Sequence, residues 1–397
     1  MMKSILMKNT VAGIILALIA MTVYGCDQKK KTCEEKNAVT CHIVEKHIPA
    51  SDVLYLKAYP LSASYQTSKD TIILGYNYRS HALDVIDCRT DSVREIRFEK
   101  EGNNAVTGRL TSLYVHNMDS IWIYSESMQA YLVDQTGSIR QKLNLNDYLQ
   151  DGEELLLMNN HAVCTSRLYY DALRGTLLYG IVNKNSSPCT FKVCELDLKS
   201  LEIVNEYSLQ ASLADKDVSS GYANMNNAVN IAFHDSLIVY NYPIESHIYV
   251  LNRLTGSFRA LEADSRYTKN CAEKCLSKDY SLWERHQIEN PHFFDVMYLS
   301  EVGIYARLHL GGVAYRQDTD LGQLSDSRSL YVSFYDTDFH KLGEQMLPEC
   351  RYSYYTGWCG MNDGILLFVD NALADYDFSE DLYVDKVYPV KTGLKTE

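Results

Sequence analysis

The sequence is poor in residues that commonly betray an activity. It holds 3 tryptophans, 7 prolines and 10 phenylalanines, and its 38 basic side chains are outnumbered by 51 acidic ones, for a net charge of −13. No lysine- or arginine-rich stripe is present to neutralise phosphates, which excludes nucleic-acid binding and disfavours anionic lipid surfaces. The GxSxG elbow, the P-loop, the GxGxxG turn and the HExxH zinc helix are all missing, so no catalytic signature is in view. A membrane-spanning helix needs roughly 20 apolar residues. The uncharged run Val11–Val23 stops at 13.

That short run follows Lys3 and Lys8 and precedes Val23-Tyr24-Gly25-Cys26, which reads as a signal peptide over residues 1–25 ending at a lipobox, with Cys26 as the lipidated first residue of the mature chain. An ordinary secretory signal is the alternative, and Tyr24 departs from the small residue usual in a lipobox. Cleavage removes Lys3 and Lys8 and no acid, so the charge moves to −15. Residues 26–50 are polar, mixed in charge and without periodicity, as in a flexible tether, and the folded part is expected over 51–397. Cys33 and Cys41, both in this stretch, form the expected disulfide in an oxidising compartment. Cys271 and Cys275 suit a helix or soft-metal ligation by spacing, but no second pair of finger spacing accompanies them.

Tyrosine is abundant, at 31 residues, and a repeat is visible. Short apolar strands begin at Ile72, Ile121, Leu177, Leu237, Ile304 and Ile365, spaced 49 to 67 residues apart. After most of them comes a second apolar run ending in Asp or Asn, a turn and a third strand, as in LDVID-CRTD-SVREI from Leu83, AYLVD-QTG-SIRQKL from Ala130 and IYVLN-RLTG-SFRAL from Ile248. A weaker sixth copy is ADYD-FSED-LYVDKV from Ala374. Asp or Asn caps such a turn with its side chain, and Gly supplies a positive φ where needed. Six units of this kind predict an all-β, six-bladed β-propeller; a pair of β-sandwiches would not give a constant period through the middle of the chain. Leu168–Leu173 and His292–Met297 match as inner strands. The strand around Val53–Tyr59 is expected to close the ring beside Leu382–Pro389. Leu276, Tyr280 and Trp283 at helical spacing predict a small helical insertion packed on the ring.

The lipobox, the polar tether, the run Asn117-Met118-Asp119-Ser120-Ile121-Trp122-Ile123-Tyr124 and Asn290-Pro291-His292-Phe293 resemble lipoproteins of Bacteroidetes-type bacteria grouped as a domain of unknown function with a six-bladed, TolB-like propeller. The resemblance covers Ser51 to about Val390. It implies the same blade count, a lipid anchor in the bacterial cell envelope, with the outer membrane favoured, and no catalytic residues to carry over. Cys26 is followed by Asp-Gln-Lys-Lys-Lys rather than the acidic export stretch of many such lipoproteins, which leaves the leaflet open.

Two partial motifs fail on spacing. His42-Ile43-Val44-Glu45-Lys46-His47 has one residue too many for a shared helical face. Asp318-Thr319-Asp320-Leu321-Gly322 lacks the remaining ligands of a calcium loop and reads as a solvated hairpin loop. No cofactor or metal is expected. The candidate site is the central funnel, lined by Asn160, His161, Arg167, Asn226, Asn227, Asn290 and His292, where Arg167 would grip a carboxylate. The expected function is non-enzymatic binding or scaffolding of an envelope protein, peptide or glycan. The alternative, a lactonase-like hydrolase with a divalent metal, needs converging carboxylates, whereas this set consists of amides, histidines and an arginine.

Overall fold

In the computed structural model, residues 38–67, 71–156, 168–186, 189–213, 229–275, 277, 279–353, 357–374 and 380–392 are described. The chain opens with β1 (Val39–Ile48). Blade 1 follows as β2 (Ser62–Gln66), β3 (Thr71–Asn77), β4 (Ala82–Asp87) and β5 (Ser92–Arg97). Blade 2 is β6 (Leu110–Asn117), β7 (Ser120–Ser125), β8 (Gln129–Val133) and β9 (Ile139–Asn144). In blade 3, β10 (Glu153–Leu155) and β11 (Tyr169–Asp171) both pair with β12 (Thr176–Asn183), which continues to β13 (Thr190–Asp197) and β14 (Glu202–Leu209). Blade 4 comprises β15 (Asn230–His234), β16 (Leu237–Asn241), β17 (Ile248–Asn252) and β18 (Phe258–Leu261). A helix, α1 (Tyr280–Glu289), precedes blade 5, which is β19 (His292–Leu299), β20 (Ile304–Leu310), a short helix α2 (Leu321–Asp326), β21 (Leu330–Tyr335) and β22 (Lys341–Met346). Blade 6 takes β23 (Trp358–Gly360), β24 (Ile365–Phe368) and β25 (Leu382–Lys391), and then β1 as its outermost strand. The protein is a six-bladed β-propeller of antiparallel sheets.

First strands of neighbouring blades touch one another, so they line the ring axis. The middle strands of a blade are covered by neighbours on both faces and are mostly apolar and buried along almost their whole length, as in β4 and β21, whereas the outer β5 alternates between water and packing. Buried side chains accordingly form one cluster at each of the six blade-to-blade interfaces, such as Leu74, Leu83, Ile121 and Tyr131 between blades 1 and 2.

The turn chemistry is as expected in blades 1 to 5. Asp87 accepts from the Arg89 N–H at 2.8 Å, Asp134 from Thr136 at 2.8 Å, Asp197 from Ser200 at 2.7 Å, Asn252 from Leu254 at 2.9 Å and Asp336 from His340 at 2.8 Å. The sixth copy differs. Its ADYD-FSED segment joins β24 to β25, because the fourth strand of blade 6 is β1; residues 375–379 lie outside the described set.

Ring closure corrects two expectations. The closing strand is β1, within the stretch read as tether, and it pairs with β25 from Val39↔Lys391 to Ile48↔Leu382. Only Val39 and Ile48 at its ends are fully buried; the residues between sit on the ring's outer edge, so their polar character looks like linker. Residues 53–59 are an irregular crossing in which Leu54, Leu56 and Tyr59 pack between blades 6 and 1. Cys41 therefore sits in a strand with a free thiol rather than in flexible chain, and Cys33 lies outside the described residues. The insertion does contain a helix, but α1 buries His286, Gln287 and Ile288 while Tyr280 is exposed; Leu276 is not described. Asp320 caps α2 by accepting from Gly322 and Gln323, so the partial calcium loop is a helix start, not a hairpin.

Buried arginines tie blades together. Arg253, from the turn after β17 of blade 4, reaches Asp171 at 2.8 Å and Glu195 at 3.0 Å in blade 3. Arg307 on β20 donates to the Ser246 and Ala263 carbonyls of the blade 4 loops, at 2.7 and 2.9 Å. At the seam Arg351 grips Asp385 through Nε at 2.5 Å and Nη2 at 2.8 Å, and also reaches Glu45 at 3.0 Å.

Candidate functional site

The connections that lead into each inner strand lie on one face of the ring, here the upper face, and the tight turns capped by Asp or Asn lie on the lower one. Of the seven sequence candidates, Asn290 and His292 stand at the upper-face start of the inner strand β19. Asn160, His161, Arg167, Asn226 and Asn227 fall outside the described residues. The other two are buried. The Asn290 side chain accepts from the Glu273 N–H at 2.7 Å and donates to the His286 carbonyl at 2.8 Å, so it fastens the helical insertion rather than facing a ligand. His292 begins the inner strand β19 and its ring lies 4.6 Å from that of Phe294, toward the packing between blades 5 and 6.

Beside them, at the upper edge of blade 5, is a cavity of about 250 Å³ whose walls include Tyr267, Lys269, Glu289, Gly312, Ser329 and Tyr331. One wall is an aromatic column. Tyr267 stacks on Tyr331 at 5.2 Å, Tyr331 on His309 at 5.2 Å and His309 on Phe293 at 5.4 Å, and the Arg307 guanidinium lies 4.8 Å from the Phe293 ring. At the outer end, Arg266 caps Tyr267 at 4.8 Å. Rings held on both faces lose little rotamer freedom on binding, and their hydroxyls and edges remain as contacts. Gly312 is required opposite: a Cβ there would lie 2.2 Å from the Glu289 carbonyl oxygen.

Charge is concentrated beneath this wall. Burial would raise the Glu344 carboxyl, but hydrogen bonds from His309 and the Arg266 N–H, with the Lys341 ammonium at 2.9 Å, outweigh it and hold the group far below the usual carboxylate range. Burial pushes His309 down to about 4 against the pull of Glu344, so the ring is neutral at pH 7. Ser265, His309 and Glu344 together look like a nucleophile, base and acid. The geometry is wrong for that chemistry. Ser265 Oγ and Glu344 Oε1 both lie 3.2 Å from the same ring nitrogen, Nε2, whereas a triad places the acid on the opposite nitrogen, and Nδ1 has no partner among the described residues. Ser265 Oγ also accepts the N–H groups of Tyr267 and Thr268, as a turn-capping hydroxyl does. Among the described residues no group of three or more His, Cys, Asp or Glu is placed to hold a metal ion.

Sequence reasoning missed the residues of this wall. The available signal was Gly311-Gly312, an isolated pair at the end of an apolar strand, whose second member lets a strand end approach a helix end.

A propeller with a small polar cavity at its upper edge is a fold of many functions, and relatives narrow the class. The sequence matches the domain of unknown function DUF4221 over residues 40–346, and the chain belongs to that family. The match starts in the closing strand and ends with blade 5. A member of the same family from Bacteroides vulgatus has a similar structure, with a TM-score of 0.69 and 13% identity, covering 90% of this chain and 100% of that one. A Bacteroides fragilis protein named as exported is similar at a TM-score of 0.55 and 12% identity, over 90% and 97% of the two chains. At these identities the likeness establishes the fold. No curated protein matches the sequence.

Proposed function

We propose that the protein is a lipoprotein of the bacterial envelope, anchored through a lipid on Cys26, whose propeller binds a ligand without transforming it. The observation that carries the binding reading is the blade 5 cavity. Its aromatic wall is fixed from the surface to Arg307, and hydroxyl, ammonium and carboxylate groups share a space of about 250 Å³. That volume is below the roughly 300–1,000 Å³ of pockets that engulf drug-sized ligands. It suits one sugar unit of a glycan or one polar side chain of a peptide or protein, with the rest of the ligand outside. A serine-hydrolase reading of Ser265, His309 and Glu344 finds no support in their geometry, and the metal-dependent hydrolase alternative would need converging carboxylates at the funnel.

The test is titration of the intact mature protein against glycan and peptide panels. Tyr267→Ala should weaken the best ligand by about tenfold, the loss of one good contact of about 1.4 kcal/mol, while the melting temperature stays nearly constant because Tyr267 is 47% exposed. Equal binding by both proteins would remove the cavity from the function. Mass spectrometry of the mature N-terminus should find lipid on Cys26, and Cys26→Ala should release the protein from membranes.

A further inference from the structure

On the upper face between blades 1 and 2 lies another cavity of about 250 Å³, and its chemistry is different. Its floor is apolar, formed by Leu61, Tyr76 and Leu110, all buried, and Tyr78 and Arg109 stand at its rim. Tyr78 is 58% exposed. Arg79 lies 5.8 Å from the Tyr78 ring and 5.9 Å from that of Tyr55, and Nε of Arg79 donates to the Tyr78 hydroxyl at 3.4 Å. No carboxylate pairs with Arg79 among the described residues. Arg109 has a loose partner in Glu126, at 3.6 Å, with both side chains about half exposed.

Arg109 lines the hollow itself, and Arg79 lies against the ring of Tyr78, which also lines it. Arginine binds carboxylates through paired N–H groups, and it stacks on tyrosine without giving up that edge. We propose that this cavity is a second binding site, which takes a single apolar group carrying a carboxylate, with the hydrocarbon on Leu61 and Leu110 and the carboxylate between Arg109 and Arg79. The site does not depend on the blade 5 cavity. Its ligand has two sources with the same chemistry, a free apolar acid and the C-terminal residue of a peptide.

The experiment titrates the mature protein by NMR with N-acetyl-leucine, its C-terminal amide, and a leucine-terminated pentapeptide in free-acid and amidated forms. A ligand this small should bind in the millimolar range. Each acid should bind at least about tenfold more tightly than its amide, as one charge-assisted hydrogen bond predicts. The double variant Arg79→Gln, Arg109→Gln should abolish that preference, and Lys142→Gln, which removes an exposed charge from the outer strand of blade 2, should keep it. A pentapeptide acid that binds more tightly than N-acetyl-leucine identifies a chain terminus as the source; equal affinities identify the free acid. Equal binding of acid and amide, a preference that survives in the double variant, or no binding of any probe at millimolar concentration would overturn the proposal.

Discussion

Arg351→Met tests how the ring is held shut. In the pairing of β1 with β25, Glu45 stands directly opposite Asp385, and two like charges facing each other across strands repel. Asp385 is fully buried. Its carboxylate receives Arg351 Nε at 2.5 Å, Arg351 Nη2 at 2.8 Å and the Tyr352 hydroxyl at 2.5 Å, while the mostly exposed Glu45 lies 3.0 Å from the same Nη2. The Glu45 contact is screened by water and contributes little. Loss of the arginine leaves Asp385 buried with one neutral donor, and removal of one partner of a buried pair costs about 3–5 kcal/mol. Against a total stability of about 5–15 kcal/mol, the seam should open first. Urea unfolding followed by tryptophan fluorescence measures the loss, since Trp358 lies in blade 6, and limited proteolysis should cut within β1 before the other blades. Adding Asp385→Asn to Arg351→Met should recover much of the stability, because the uncompensated charge is gone. A cost under about 1 kcal/mol for the single variant, or no recovery in the double one, would refute an electrostatic clasp.

Other consequences can be measured independently. Gly75→Ala would place a Cβ 2.3 Å from the Tyr59 ring, and as overpacking of a closed interface it should cost about 1–3 kcal/mol in denaturant unfolding. Burial pushes Asp84 up to about 6, more than the hydrogen bonds from Tyr59 and Asn77 pull it down. A carboxyl raised on folding favours the fold below its unfolded value near 4 and loses that contribution as pH rises through about 6. Asp84→Asn should therefore gain on the order of 1–3 kcal/mol relative to the parent between pH 4 and pH 8, and an unchanged difference would contradict the assignment. His309 works in the other direction. Held down to about 4 by burial, it stays neutral while the unfolded chain takes up a proton, so stability should fall between about pH 6.5 and 4, and His309→Gln should flatten that slope in pH-dependent melting.

The blades were legible because each repeats local chemistry. An Asp or Asn with its turn sits next to strands whose two covered faces favour mostly apolar runs, and both signals lie within a few residues of each other. The closing strand was not legible for the opposite reason: VTCHIVEKHI has only its end residues buried, and what makes it a strand is a partner more than three hundred residues away. The same holds for the blade 5 cavity. His309 and Tyr331 face each other across β20 and β21, and Tyr267 comes to them from the connection before blade 5, so their stacking follows from strand register and chain return rather than from any spacing in the chain. Asn290 shows the converse. It was read as a funnel residue because it is polar and precedes an inner strand, but such a residue can as readily fasten a loop, and here both ends of its amide do so.

Borrowing the first strand for the last blade also sets the order of events in folding. β1 is made before the other described strands and must wait for β25, its only strand partner among the described residues and the last of those strands in sequence. Loop-closure entropy rises only slowly with length, so the distant pairing is thermodynamically affordable. Kinetically it comes late, since contacts between the ends of the chain form after local ones. Until then β1 and β24 each present an unpaired edge, the kind of surface that recruits other chains. A truncation before Leu382 would remove β25 and leave β1, at the other end of the chain, without a place to bind.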